Sequence, residues 1–151
     1  MYYSSMNDMA PEQPSAAAAP ANVMAVLHAA HAVEAKLEAA CGRAGLSMAK
    51  FSVLSQLVEA GEPLALGELA ERLSCVRSNM TQLIDRLEAE GFVRRVSCPT
   101  DRRSVKAEIS ELGRERQAVA AVEFAKVNAE IVGLVQPEDH AAIERFARAL
   151  G

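Results

Sequence analysis

The sequence predicts a mainly α-helical fold carrying a single two-stranded β-hairpin, and three observations predict it. From Val23 onward apolar residues recur every three or four positions over most of the chain. That period breaks at residues 92–109, where β-branched and alternating residues flank the turn Cys98-Pro99-Thr100-Asp101. In a chain of 151 residues, 50% hydrophobic and 24% charged residues are enough to bury one ordinary core but too apolar for wholesale disorder.

Residues 1–21, rich in Ala, Pro, Ser and Met, show no apolar period and are expected to form a flexible tail with no function assigned to it. That stretch also lacks a basic start followed by an apolar core, so a secretory signal is not expected. No apolar run approaches the roughly 18 residues of a membrane span, which excludes a membrane-embedded role and places the chain in the cytoplasm. Cys41, Cys75 and Cys98 form no CxxC pair, and an odd count makes a poor disulfide framework. Reduced thiols in a reducing compartment fit better.

Val23, Val26, Leu27, Ala30, Val33, Leu37 and Cys41 trace the stripe of a first helix, which Gly42 and Gly45 should end. Ser47 can cap a second, with Phe51, Val53, Leu54, Leu57 and Val58 apolar before the stop Ala60-Gly61-Glu62-Pro63. After a short extended link at Leu64, a third and short helix carries Leu66, Leu69, Ala70 and Leu73. A turn through Ser74 and Cys75 leads into a fourth helix at 77–90, in which Val76, Met80, Leu83, Ile84 and Leu87 occupy one side and are expected to be core. The other side presents Arg77, Ser78, Asn79, Thr81, Gln82, Asp85 and Arg86, and Gly91 stops the helix. Residues 92–96 and 104–109 then form the hairpin, with Arg102 and Arg103 beside its tip.

Ser110 can cap a long helix reaching about residue 135, along which Val119, Val122, Ala125, Ala129, Val132 and Val135 recur. Pro137 is expected to open a last helix bearing Ile143, Phe146, Ala147 and Leu150. Together with the first helix, these stripes exceed what one small domain covers, and a second copy of the chain is the natural partner.

Charge is distributed to match. The chain carries a net −4, yet residues 77–106 hold seven cations against four anions, a net +3, which leaves −7 on the remainder. Between residues 92 and 107 five cations face Asp101 alone. A basic segment on an acidic body is the asymmetry expected of a face that meets phosphate.

A short helix, a tight turn, a second helix with a polar face and a basic hairpin make a helix-turn-helix with a wing. Ser78, Asn79, Thr81 and Gln82 would read bases or phosphates in the major groove, with Arg77 and Arg86 beside them, and Arg94, Arg95, Arg102 and Arg103 would neutralise the backbone. The stretch LGELAERLSCVRSNMTQLIDRLEAEGFVRRVSCPTDRRSVKAEIS (66–110) resembles the core of the multiple antibiotic resistance regulator (MarR) family. Ser78 and Thr81 match the Ser-x-x-Thr helix start, Leu87, Glu88 and Gly91 the Leu-Glu-x-x-Gly exit, and Asp101 and Arg103 the Asp-x-Arg of the wing. The resemblance extends over about 23–150 and implies a homodimer held by the first and last helices. It also implies a repressor of transcription, often relieved by a small aromatic or phenolic ligand.

The expected division is a tail at 1–21, a helical dimerisation region at 22–46 and 110–151, and a winged helix-turn-helix binding double-stranded DNA at 47–109. Ile109-Ser110 stands for the family's closing Leu-Thr, a mild change that keeps the cap, and two further positions depart from the family pattern. Val76 stands where a Ser or Thr cap is usual, and Ala65 where a capping Thr is usual.

His28 and His31, three residues apart, could share a metal, but a third ligand is missing nearby, with Glu34 and Cys41 the only candidates on that helix, and His140 stands apart. No Gly-rich phosphate loop, nucleophile elbow or HExxH occurs, so neither catalysis nor a cofactor is expected. Oxidant-sensing relatives carry a reactive Cys near the start of helix one, where this chain has none. Cys98, Cys75 and Cys41 leave a thiol-based redox regulator as an alternative reading. A winged helix kept only for protein contacts is the other, and it would dispense with the basic wing.

Overall fold

The computed structural model describes residues 18–97 and 105–151, with side chains from residue 23 onward. Its order is α1 (Ala18–Arg43), α2 (Met48–Ala60), β1 (Leu64–Ala65), α3 (Leu66–Arg72), α4 (Arg77–Ala89), β2 (Val93–Ser97), β3 (Val105–Ile109), α5 (Glu111–Gly133) and α6 (His140–Leu150). This is a mainly helical, winged helix-turn-helix architecture. The strands form one antiparallel sheet in the order β1-β3-β2, with Leu64 opposite Ala107 and Val93 opposite Ile109. The link expected at Leu64 is thus a third strand: Leu64 is buried, and pairing with β3 satisfies backbone groups that burial would otherwise strand.

Local chemistry sets the helix ends. The Ser47 hydroxyl accepts from the Lys50 N–H at 3.2 Å, and the Glu38 carboxylate accepts from the Met48 N–H at 2.8 Å, so two of the orphan donors of α2 are satisfied. Ser110 caps α5 through the Gly113 N–H at 3.0 Å. α1 ends at Gly45, whose φ of 72° allows the Leu46 N–H to reach back to the Cys41 carbonyl at 3.1 Å. Gly42 stays inside the helix. At the other end α1 begins at Ala18, within the segment read as a tail, where an alanine run has high helix propensity. α6 starts at His140 rather than at Pro137, because residues 137–139 form a turn and the Asp139 carbonyl receives the first helical bonds, from Ala142 and Ile143.

Within Glu34–Gly151 the core gathers Val53, Leu54 and Leu57 of α2, Leu69 of α3, Met80, Ile84 and Leu87 of α4, and Ala107 of β3. α5 joins it through Ala120, with Phe124 against Phe51 at 5.2 Å between ring centroids, and also buries Gly113 and Val127. The stripe named from the sequence is a different one: Val119, Val122, Ala125, Ala129 and Val132 are exposed and Val135 half-buried. α6 likewise exposes Ile143, Phe146 and Leu150. In the stretch ending at Val33, Val23, Met24, Val26 and Leu27 are exposed.

Candidate nucleic-acid interface

α4 separates its faces as its sequence requires. Met80, Ile84 and Leu87 are buried and Leu83 half-buried, whereas Arg77, Ser78, Asn79, Thr81, Gln82 and Arg86 are exposed. Val76 does not join the buried stripe; it is 61% exposed. The reason is that Val76 is the N-cap, with extended φ and ψ of −71° and 144°, so the helical period does not yet apply to it. Neither Val76 nor Ala65 makes a side-chain cap bond among the described residues, and the start of α4 offers its first N–H groups to whatever approaches.

Two contacts shape that start. The Thr81 hydroxyl donates to the Arg77 carbonyl at 3.0 Å, and its oxygen keeps both lone pairs to accept. Arg77 folds back over α3: a Cβ added at Gly67 would stand 3.3 Å from its Nη2. The exit of α4 is a Gly91 turn with φ 77°, closed by the Phe92 N–H on the Leu87 carbonyl at 2.9 Å.

At the base of the wing two of the arginines expected to neutralise the DNA backbone have partners within the protein. Arg94 pairs with its cross-strand neighbour Glu108, and this hydrogen bond first, then the Glu108 charge, raises the Arg94 pKa above the ordinary arginine value. Arg95 bridges Asp85 and Glu88 of α4, and hydrogen bonding to Asp85 is the main cause of a similar rise. Both guanidiniums are thus ion-paired to carboxylates of the protein. Asp101, Arg102 and Arg103 lie outside the described residues, as does Cys98.

Sequence reasoning missed the joint where the wing meets α5. The Ser110 hydroxyl donates to the Gly91 carbonyl at 2.6 Å, while the Ser110 N–H reaches the Phe92 carbonyl at 3.0 Å. Arg116 lies over the Phe92 ring at 5.7 Å and donates to the Ala44 carbonyl at 3.2 Å. Gly113 permits the approach, since a Cβ there would fall 2.1 Å from the Phe92 carbonyl oxygen. A glycine in the first turn of a long helix, where it costs stability without such a reason, was the available signal.

Elsewhere the thiols and histidines stand apart. Cys41 is buried, and burial first, then the nearby Glu38 carboxylate, pushes its thiol pKa up, away from the reactive thiolate. Cys75 is half-buried and its thiol donates to the Val76 carbonyl at 3.3 Å. His28 and His31 are exposed, and the described residues contain no group of three metal-ligating side chains. No described helix is long and apolar enough to cross a membrane. A groove of about 270 Å³ runs between the end of α1 and the start of α5, lined by Arg43, Ala44, Leu112, Glu115, Arg116 and Val119.

Residues 46–105 match the model of the MarR family. An uncharacterized HTH-type transcriptional regulator of Bacillus subtilis, YkoM, is 39% identical over 71 residues, 47% of this chain and 46% of its own length. The HTH-type transcriptional repressor YetL of the same species is 33% identical over 87 residues, 56% of this chain and 52% of its own. The chain thus spans about half the length of the curated relatives it matches. Among solved structures, Sco3205 of Streptomyces coelicolor, a MarR family transcriptional regulator in complex with DNA, superposes with a TM-score of 0.81 at 26% identity, over 95% of this chain and 91% of that one. The match to the family model falls on the helix-turn-helix and wing described above, and the shared fold extends over nearly all the rest. Residues 46–105 of this chain are thus similar to the MarR family, and the fold around them is that of a winged helix-turn-helix protein.

Proposed function

We propose that this protein is a transcriptional regulator that binds double-stranded DNA, acting as a homodimeric repressor on a palindromic operator. The observation that carries the reading is α4, which exposes Arg77, Ser78, Asn79, Thr81, Gln82 and Arg86 along a face supported from beneath by Met80, Ile84 and Leu87. A helix of that kind fits a major groove, and its uncapped start suits a phosphate. Sco3205 in complex with DNA and the repressor YetL support the same reading for this chain.

Dimerisation follows from the exposed stripes of α1, α5 and α6, which a second copy would cover in the cytoplasm. A small aromatic or phenolic ligand would suit the groove between α1 and α5, whose wall combines Leu112 and Val119 with the guanidinium of Arg116. Neither catalysis nor a cofactor enters this account. The test is to select duplexes from a random pool with the purified protein, then measure their binding to the parent and to a Ser78→Ala Gln82→Ala variant. The reading requires a selected palindrome and its loss in the variant. Failure to enrich any sequence would refute it.

A further inference from the structure

We infer that Arg95 is a positioning residue that ties the wing to the recognition helix, rather than one of the groups that contacts phosphate; this rests on the DNA-binding reading above. Strand alternation supplies the first argument. Arg95 is directly opposite Ala107, which is fully buried, so both lie on the inward face of the sheet, whereas Arg94 is opposite Glu108 on the outer face. A guanidinium on the inward face is aimed at the body of the domain, not at solvent. Only 28% of the Arg95 side chain is exposed.

Its bonds all run to one helix. Nη1 donates to the Glu88 carboxylate, Nη2 donates to Asp85 Oδ1 at 2.5 Å, and the Arg95 backbone N–H donates to Glu88 Oε1 at 3.0 Å. That N–H belongs to β2, an edge strand of the sheet, so Glu88 supplies the acceptor that a further strand would otherwise give. Asp85 and Glu88 are three residues apart on α4 and share a side with Thr81, so the planar fork of one arginine spans both.

Two consequences follow. β2, the strand that leads in sequence toward Arg102 and Arg103, is held to α4 at Arg95. In addition, the fork covers two carboxylates that would otherwise stand as bare negative charge at the end of the polar face. Separating those charges from incoming phosphates favours association.

The opposite sign of two predictions tests the assignment. Were Arg95 a phosphate contact, replacing Asp85 and Glu88 by Ala would release it and remove repulsion, giving tighter binding. Arg95→Lys would then stay close to the parent. As a positioning fork, Arg95 should instead show binding to the selected duplex roughly tenfold weaker or worse in Asp85→Ala Glu88→Ala, and also weaker in Arg95→Lys, because an ammonium cannot span both carboxylates. Tighter or unchanged binding in the double variant overturns the inference. Amide hydrogen exchange of the free protein gives an arm independent of DNA: protection of the Arg95 N–H should fall in the double variant. If the parent binds no duplex, the functional reading fails while this arm still judges the tie, and unchanged protection overturns it.

Discussion

Gly113→Ala adds one methyl group where the molecule has no space for it. The new Cβ would fall 2.1 Å from the Phe92 carbonyl oxygen and 2.9 Å from Ile109 Cγ1, distances that real Cβ atoms essentially never show. The nearest atom is backbone, so no rotamer change relieves the contact. α5 must move away from the start of β2 by about 1 Å, and overpacking of this kind costs about 1–3 kcal/mol. The same movement pulls on the Ser110 N–H to Phe92 carbonyl bond, with a further loss of about 1 kcal/mol. Against this, alanine is favoured over glycine in a helix by about 1 kcal/mol. The net destabilisation is about 2 kcal/mol, or a fall in Tm of roughly 4–8 °C for a chain of this size. Thermal denaturation followed by circular dichroism at fixed protein concentration measures it. Gly133→Ala on the same helix is the control: nothing described lies within 4 Å of its added Cβ, and its Tm should stay level or rise. A Gly113→Ala protein that melts at or above the parent would refute the close-approach argument.

Further expectations follow the same reasoning. Leu134 is 76% exposed, so Leu134→Asp should leave the fold intact and shift the protein toward monomer in sedimentation, as should Ile131→Asp at a half-buried position; a parent that is a stable monomer at micromolar concentration contradicts both. Arg103→Ala should weaken binding to all duplexes by about 1–3 kcal/mol and lower the salt slope by about one, and Asp101→Ala should weaken it too, against the direction that charge alone predicts. Hydrogen bonds from Lys126 and then Arg43 hold the Glu123 carboxyl below its ordinary value, so the folded state favours the charged form. That contribution is present above the ordinary carboxylate pKa and lost as pH falls through the lower folded value; Glu123→Gln should therefore show a shallower loss of stability between about pH 5 and pH 3 in acid titrations. Iodoacetamide should leave Cys41 unmodified until the chain unfolds, as mass spectrometry of the labelled protein would show.

What the sequence made legible was whatever depends on near neighbours. Ser47 and Ser110 cap their helices because a hydroxyl reaches the N–H three residues on, a relation contained in a short window. The two faces of α4 follow from its own period. Val76 failed because a residue just outside the helix has extended geometry, so a period extrapolated back to it places it wrongly. On α5 two apolar stripes coexist, and nothing local says that Ala120 and Phe124 meet the winged helix while Val119 and Val122 are left outside. β1 is two residues long, below any useful window, and exists only because β3 offers it an edge. Arg94 and Arg95 look alike as neighbours in a basic run; their partners, Glu108 across the ladder and Asp85 with Glu88 on α4, are properties of the assembled fold.

Footprinting on a selected duplex tests the central claim most directly, because it reports both the helix that reads the DNA and the symmetry of the complex. Two recognition helices carried by a dimer should protect two half-sites centred about one helical turn, ~10 base pairs, apart. Thr81→Ala and Gln82→Ala should each weaken that protection by about 1–3 kcal/mol without changing the melting temperature, since both side chains are exposed. A footprint of one half-site, or one unaltered by either substitution, would contradict the assignment of α4 as the reading helix of a dimer.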